Sequence, residues 1–458
     1  MFPSEPPVFG PTQPRLIDRV IGLLTLQSQP LPACDPGGHR GPRRKIQDWQ
    51  IQAGMIIHML LPQGALAQCI WQHLHLRVSD AALSLRRQQM KLQPFLTILA
   101  HALRPLAVVA EHPECFFKGL RLVGHDGTQM SVSNTAAVLA EMTKVKTRRG
   151  LAAFAKVGLG VLVELGTHNP LAAAIGLSGE SESVLFSQAL KQLPQGCLLI
   201  LDRWYGNAPV LEEVRTRCAS SQSEYLLRVR HKLAVKVLER HPDGSATVEV
   251  ALRDKQKPRV VLKRLKVREV RASLQRRLDG SRVEVRLWTS LSVEQASAGE
   301  VVELYARRWE QEVFYKELKM GLRNGDLLLS QTPRTAAQEV AALLMAASLV
   351  AEERLACAQQ SEEPEVRAAG VMRISFGLCL QMTTALWIVL AAGADLLDAA
   401  TQAELVRRTR QQIAEMALPK RRQRTCARKV RQPVCKWPRM LQPTSITSAP
   451  SITLVPIT

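Results

Sequence analysis

In the stretch "GCLLILDRWYGN", five successive apolar residues, Cys197 to Leu201, run directly into Asp202. A run that short and unbroken, closed by a charged turn, predicts a buried strand, and a buried strand needs other elements to cover it. The neighbouring sequence supplies them. Before it, "LRLVGHDGT", "FAKVGLGVLVELGT" and "PLAAAIGLS" read as three strands and "ESESVLFSQALKQL" as an amphipathic helix; after it, "APVLEEVRTRCA" reads as a second helix. Three strands, a helix, a strand and a helix predict a mixed α/β sheet with helices packed on it.

That alternation stops at residue 224. Four segments, "YLLRVRHKLAVKVL", "SATVEVALR", "PRVVLKRLKVREVRA" and "SRVEVRLWTSL", are separated by the turn signals Pro242-Asp243-Gly244 and Asp279-Gly280 and predict an antiparallel β insertion. Between Arg228 and Arg286 there are 18 Lys and Arg against 7 Asp and Glu, a surplus of 11. More than half of the chain's net charge of +21 therefore sits in this insert. Self-repulsion of that size is normally retained only when the partner is a polyanion, and nucleic acid leads over an anionic membrane surface.

A chain of 458 residues is too long for one ordinary core and predicts about two to four domains. We divide it into a helical region at 1–112 able to bind DNA ends, an α/β core at 113–223, the basic β insertion at 224–291, the second part of the core at 292–352, and a helical region with a basic tail at 353–458. In the first region Ser79 is placed to cap a helix, "DAALSLRRQQM", that exposes Arg86 and Arg87 and resembles the second half of a helix-turn-helix. The "GGHRGPRRK" loop adds a basic patch, and Lys420 to Met440 carries nine basic and no acidic residues, suited to non-specific phosphate contact. Nine cysteines without a CxxC pair predict free thiols in a reducing cytosol rather than a disulfide framework or zinc ribbon. The N-terminus has no export signal, and the apolar run Phe376 to Ala394, interrupted by Gln381 and two threonines, reads as a core helix in preference to a membrane span.

Two aspartates stand where an apolar strand gives way to a turn: Asp126 in "LVGHDGT" and Asp202 in "LLILDRWYG". A carboxylate held at a sheet edge over an apolar floor suits a hard divalent cation, although Asp also simply starts turns. His125 is expected to face the opposite side of its strand. A third carboxylate comes from "LYARRWEQEVFYKELKMGL", residues 304–322. On one continuous helix Tyr305, Arg308, Glu312 and Lys319 fall within an arc of about 60°, so that one stripe presents a phenol, a guanidinium, a carboxylate and an ammonium. A helical salt-bridge ladder would show the same spacing. Glu310 and Glu317 lie off this stripe and read as surface charges.

The spacing of Tyr305, Arg308, Glu312 and Lys319 resembles the YREK signature of bacterial insertion-sequence transposases of the DDE type, the hairpin-forming group called family four. "HDGT" and "LDRWYG" are similar to that family's two aspartate motifs, and "LWTSL" to the strand that closes its β insertion. The resemblance covers roughly residues 115 to 330. It implies an RNase H-like fold in which Asp126, Asp202 and Glu312 form the catalytic and metal-binding triad for two Mg²⁺ ions, with Mn²⁺ able to substitute, and in which Tyr305, Arg308 and Lys319 contact DNA phosphates. It further implies Trp288 as a stacking partner for an extruded base, beside the alternative that a strand tryptophan is core. Trp204 stands in a turn where relatives tend to carry glycine.

The activity implied is cut-and-paste DNA transposition: metal-dependent cleavage at transposon ends followed by strand transfer. Its partners would be double-stranded DNA at terminal inverted repeats, target DNA, and a second copy of the chain in a synaptic complex, in a bacterial cytoplasm and with no membrane. The competing reading is a catalytically inactive, transposase-derived DNA-binding protein, which the presence of all three carboxylates counts against. No nucleophile elbow, P-loop or HExxH motif is present, which excludes serine hydrolase, ATPase and zinc protease readings.

Overall fold

The computed structural model describes residues 46–419, apart from 62–63, 145, 148–149, 178, 231–232, 276–281 and 326, together with 16, 18–20 and 452–454. The basic tail at 420–440 and the "GGHRGPRRK" loop lie outside the described residues. The chain forms two compact units, Met1–Leu193 with Trp309–Leu418, and Pro194–Arg308 with Pro419–Thr458.

The first unit opens with helices α1 (Asp48–Leu60), α2 (Leu66–Leu74), α3 (Asp80–Gln89) and α4 (Leu92–Ala102). Ser79 caps α3 as expected, its hydroxyl accepting the Ala82 N–H at 3.3 Å. The two arginines of that helix are not the exposed pair the sequence suggested. Arg86 is ion-paired to Asp48, and the Arg87 guanidinium turns inward to donate to Ser330 Oγ and the Thr335 carbonyl, both at 3.2 Å. Strands β1 (Leu120–Val132), β2 (Ala155–Glu164) and β3 (Asn169–Gly176) follow, antiparallel with β2 in the middle and Asp126 opposite Val161. Helix α5 (Glu182–Leu190), capped by Ser181, packs across them.

The second unit begins with β4 (Cys197–Leu201), helix α6 (Ala208–Ser220) and β5 (Glu224–Arg228). β4 and β5 are parallel and α6 is their crossover, so β4 needs cover on both faces and its five residues are all buried. Then come β6 (Lys236–Arg240), β7 (Ala246–Arg253), β8 (Val261–Gln275) and β9 (Arg282–Thr289), each antiparallel to the next, with β9 also antiparallel to β5. This is the expected β insertion, turning at Pro242-Asp243-Gly244, while Asp279-Gly280 lies outside the described residues. Helix α7 (Ala298–Ala306) closes the unit, with Ser297 and Glu300 forming a capping box.

The chain returns to the first unit with α8 (Trp309–Lys316), which widens into a π-helical turn at Glu317–Leu322, and continues in α9 (Pro333–Gln359), α10 (Phe376–Ala392) and α11 (Ala399–Glu415). α9 is buried around most of its circumference, its Gln338, Glu339, Glu353 and Arg354 included, and runs through the core, packed on α1, α4 and β3. Its Glu353 is buried and ion-paired with Arg19 and, at 2.8 Å, with Arg410 of α11. No single helix among the described residues is long and apolar enough to cross a membrane, and α10 buries Cys379, Thr383, Leu386, Trp387 and Leu390. The cysteines at 69, 115, 197, 218, 357 and 379 are buried and form no disulfide. Three antiparallel strands, a helix, and a parallel strand–helix–strand pair are the succession of elements of an RNase H-like core, and the fold is mixed α/β with helical regions before and after it.

The insertion is organised about one buried acid. Glu269 on β8 is fully buried and accepts hydrogen bonds from Arg271 at 2.7 Å, Arg286 at 2.8 Å and Trp288 Nε1 at 2.9 Å. Burial raises its carboxyl, but Arg286, Trp288 and Arg271 together outweigh that and hold it below the ordinary range. Trp288 sits directly opposite Glu269 in the β8–β9 register and is fully buried. The expectation that its ring stacks on a base is corrected here: the indole belongs to the core, and its one donor is already satisfied. Glu269→Ala strands the Arg286 charge inside the sheet. Denaturant unfolding should show a loss of about 3–5 kcal/mol, with Glu269→Gln losing less.

Candidate active site

β1 has two faces with different neighbours. A Cβ at Gly127 would lie 2.6 Å from Glu182 Cγ of α5, whereas a Cβ at Gly124 would lie 2.8 Å from Gln311 Oε1 of α8. Side chains alternate along a strand, so Asp126 is on the α8 side with position 124, and His125 is on the α5 side with position 127. The missing side chain at 124 is what admits α8 to that face. Once there, α8 bonds along the sheet at successive turns. Gln311 Nε2 donates to the Val161 carbonyl at 3.2 Å, Tyr315 Oη donates to the Asp126 carbonyl at 2.5 Å, and Lys319 Nζ donates to the Gln129 carbonyl at 2.7 Å. Glu312 is one residue past Gln311 and three before Tyr315, so its backbone is held within a turn of the Asp126 stretch. Burial pushes the Tyr315 phenol well up, and the charges of Asp126 and Glu182 add to the rise, so it remains a hydrogen-bond donor.

The helix that carries Glu312 is anchored from behind by two acids that the sequence suggested were surface charges. Glu310 is buried and accepts the Gly166 N–H at 2.5 Å. Glu317 pairs with His168 Nδ1 at 2.8 Å and with Arg354 at 3.1 Å. Burial raises the Glu317 carboxyl, but Arg354 and His168 prevail and keep it below its ordinary range. Both acids fix α8 and its π-helical turn to the β2–β3 connection and to α9.

The second unit presents the other aspartate, and the expected strand-end position holds for this one alone: Asp202 stands where β4 ends, whereas Asp126 lies in the middle of β1, and the strand continues to Val132 with no turn after it. Asp202 follows β4, and its Oδ1 accepts the Trp204 N–H at 2.6 Å, while its carbonyl accepts the Tyr205 N–H at 3.2 Å. The turn is clamped at Gly206, where a Cβ would lie 2.1 Å from the Arg228 carbonyl at the end of β5, and Asn207 then caps α6. Tyr305, near the end of α7, is hydrogen-bonded to the Arg228 side chain and is close enough to Asp202 and Arg308 to feel both charges. Burial pushes its phenol up, Arg308 and Arg228 draw it back, and Asp202 adds to the rise. Arg228 is a residue that sequence reading did not single out; its sequence signal is no more than its place where a strand ends beside a turn.

The four signature residues do not share one helix. α7 ends at Ala306, Arg307 and Arg308 form a turn with i→i−3 hydrogen bonds to Leu304 and Tyr305, and α8 starts at Trp309. Lys319 lies in the π-helical turn, where the 100° step no longer applies. Tyr305 and Arg308 thus belong to the second unit with Asp202, and Glu312 and Lys319 to the first with Asp126. Among the described residues no three Asp, Glu, His or Cys side chains stand together as a ready-made metal site. The donor chemistry nevertheless fits a hard divalent ion, since every candidate ligand is a carboxylate.

Carboxylates on the sheet, one of them with a phenol and guanidinium groups beside it, have the chemistry to hold a hard divalent ion and to meet the charge of a phosphate. The chain matches the family described as "Transposase DDE domain" over residues 120–349, half of its length, and belongs to it. It is similar to transposase InsG for insertion sequence element IS4 of Escherichia coli strain K12, 23% identical over 334 residues, 71% of each chain. Among solved structures it is similar to the piggyBac transposase in its synaptic complex with hairpin DNA, with 9% identity, a TM-score of 0.39, and 92% of this chain and 87% of that one covered. The protein is a DDE-type insertion-sequence transposase, an enzyme of DNA transposition, and its family works with divalent metal ions.

His125 supplies a clean reporter of the β1 environment. Its ring is fully buried on the α5 side, edge-on to Phe186 at 4.9 Å, and burial lowers its pKa to about 3. The folded state therefore resists a proton that the unfolded chain takes up near pH 6.5, so stability is complete above that pH and is lost as pH falls toward 3. At pH 5 this linkage should cost the protein about 2 kcal/mol. His125→Leu should remove that increment from the pH profile of thermal or denaturant unfolding.

Proposed function

We propose that this transposase cuts DNA at the ends of its element and joins the freed ends to target DNA, with Asp126, Asp202 and Glu312 as the metal-holding catalytic triad. The observation that carries this reading is the docking of α8 on β1, in which Tyr315 of the Glu312 helix bonds the Asp126 carbonyl at 2.5 Å on the face that Gly124 leaves open. The triad would hold two Mg²⁺ ions, or Mn²⁺ in their place, which when bound activate water and neutralise charge developing on the phosphate. The chain's own groups perform the rest. Arg308 and Lys319 attract phosphate oxygens toward an otherwise acidic site, and the protonated Tyr305 donates a hydrogen bond to them, so that these three and Glu312 act as a YREK signature. Arg228 orients the Tyr305 phenol. Cleavage leaves a DNA 3′-hydroxyl, and the same carboxylates then serve an attack by that hydroxyl in place of water.

In this reading the region 1–112 binds transposon ends, the segments 113–223 and 292–352 carry the chemistry, the insertion 224–291 and the tail within 353–458 contact DNA backbone, and two copies hold two ends in a synaptic complex. A protein with these substrates works where the chromosome is, in the bacterial cytoplasm.

Purified protein incubated with supercoiled DNA bearing its element's ends should cleave at the ends in Mg²⁺ and not in EDTA. Asp126→Ala, Asp202→Ala and Glu312→Ala should each lower that cleavage by at least about a hundredfold while leaving DNA binding in EDTA intact. Cleavage that survives all three substitutions refutes the triad, and a wild-type chain inert in Mg²⁺ belongs with the inactive DNA-binding descendants. Arg308→Ala should weaken binding and flatten its dependence on salt by about one ion.

A further inference from the structure

β8 is longer than the strand beside it. One of its edges is covered by β9 from Arg268 to Gln275, and the other by β7 from Val261 only as far as Glu269. β7 begins no earlier because the chain turns at Pro242-Asp243-Gly244, and that turn is fixed in place: Asp243 is ion-paired with Arg268 of β8 and accepts the Ala298 N–H at 2.9 Å. Past Glu269 this second edge of β8 would present bare N–H and C=O groups, a template for another strand. A segment from the far end of the chain lies there. β10 (Ile452–Leu454) is antiparallel to β8, with Leu454 opposite Ala272, Thr453 opposite Ser273 and Ile452 opposite Leu274. At those three residues the first edge of β8 already belongs to Val285, Glu284 and Val283 of β9, so β10 takes the edge that β7 leaves. Its sequence suits the place. Ile452 and Thr453 are β-branched, and Pro450 and Pro456, which lack the N–H that a ladder needs, bracket the strand. The edge itself is rigid, since Val270 and Ala272 are buried and Arg271 is bonded to Glu269.

We propose that the edge of β8 past Glu269 is a strand-docking site whose ligand is the C-terminal segment of the same chain, and that docking fastens the basic run Lys420 to Met440 to the insertion. The fastening rests on the reading that insertion and tail both contact the DNA backbone. The occupant is the chain's own end because Pro419–Thr458 belongs to the same compact unit as the insertion. A sheet edge recognises a strand mainly by its backbone, and a covalently attached segment is always at high local concentration. The other end of the tail is fixed at Leu418, whose N–H donates to the Arg373 carbonyl at 2.6 Å. A tail free at its end must be gathered onto the phosphates each time DNA binds, whereas one held at both ends has lost much of that freedom beforehand. Its nine cations are then brought to the same stretch of DNA as exposed cations of the insertion such as Lys263 and Arg264.

The test uses the full chain. Ser273→Cys with Thr453→Cys sets two thiols opposite each other across the β8–β10 ladder. Ordinary and heavy-isotope chains are mixed in equal amounts in denaturant, refolded together, oxidised with diamide, digested and read by mass spectrometry. The linked peptides should carry residues 273 and 453 from chains of one isotope only. Absence of that link, or a link that joins the two isotopes, overturns the site as one filled by the chain's own end. Duplex binding in EDTA, where the metal assignment plays no part, tests the fastening. Two variants detach the strand: a chain ending at Ser451, and Ile452→Pro with Thr453→Pro, which removes the N–H on either side of it. Each should bind about tenfold more weakly than the wild type. When the nine basic residues between Lys420 and Met440 are replaced by glutamine, each should change binding less than about twofold. Equal losses in the two backgrounds, or no loss in the first, overturn the fastening. If the glutamine replacements leave duplex binding unchanged, the tail is no DNA contact and the fastening falls with that reading, while the disulfide still decides the docking site.

Discussion

The closeness with which α8 lies on β1 governs the first unit. Glycine at 124 leaves room for Gln311, and the missing side chain lets three side chains of one helix reach backbone carbonyls of two neighbouring strands. Carbonyls in a sheet normally spend their bonding capacity within the sheet. Here their second lone pairs are used to set a helix at fixed height and rotation. Because α8 and the turn that follows it also hold Glu310 and Glu317 in buried bonds to the opposite side, the segment is gripped on two faces. A carboxylate on such a helix has little freedom to wander.

The second unit achieves a comparable rigidity by different means. Asp202 is presented by a turn pinned at Gly206 and by an Asn207 cap, and the insert behind it is built on Glu269, an acid with three donors.

Much of the fold was legible because its signals are local. The three strands, the helix and the strand–helix–strand pair between residues 120 and 228 followed from apolar runs bounded by turn residues, and the insertion followed from Pro242-Asp243-Gly244. The orientation of His125 away from Asp126 followed from strand alternation alone. The misreadings came from partners far along the chain. Arg87 bonds Ser330, 243 residues on, and Glu310 bonds Gly166, 144 residues back. The satisfaction of Trp288 by Glu269 required the β8–β9 register, which residue types alone do not fix. The break at Arg307–Arg308 and the π-helical turn carry no proline to announce them, so the assumption of a uniform helix read four spaced residues as one stripe.

The buried pairs of the insertion also change what its formal charge means. Arg268 is closed off by Asp243 and by the Ser292 and Ala296 carbonyls, and Arg286 by Glu269. Counterion release on binding a polyanion is driven by cations that take the place of condensed ions along the phosphates, and a guanidinium locked inside a sheet takes no one's place. The charge this module can offer at its surface is therefore smaller than its sequence charge.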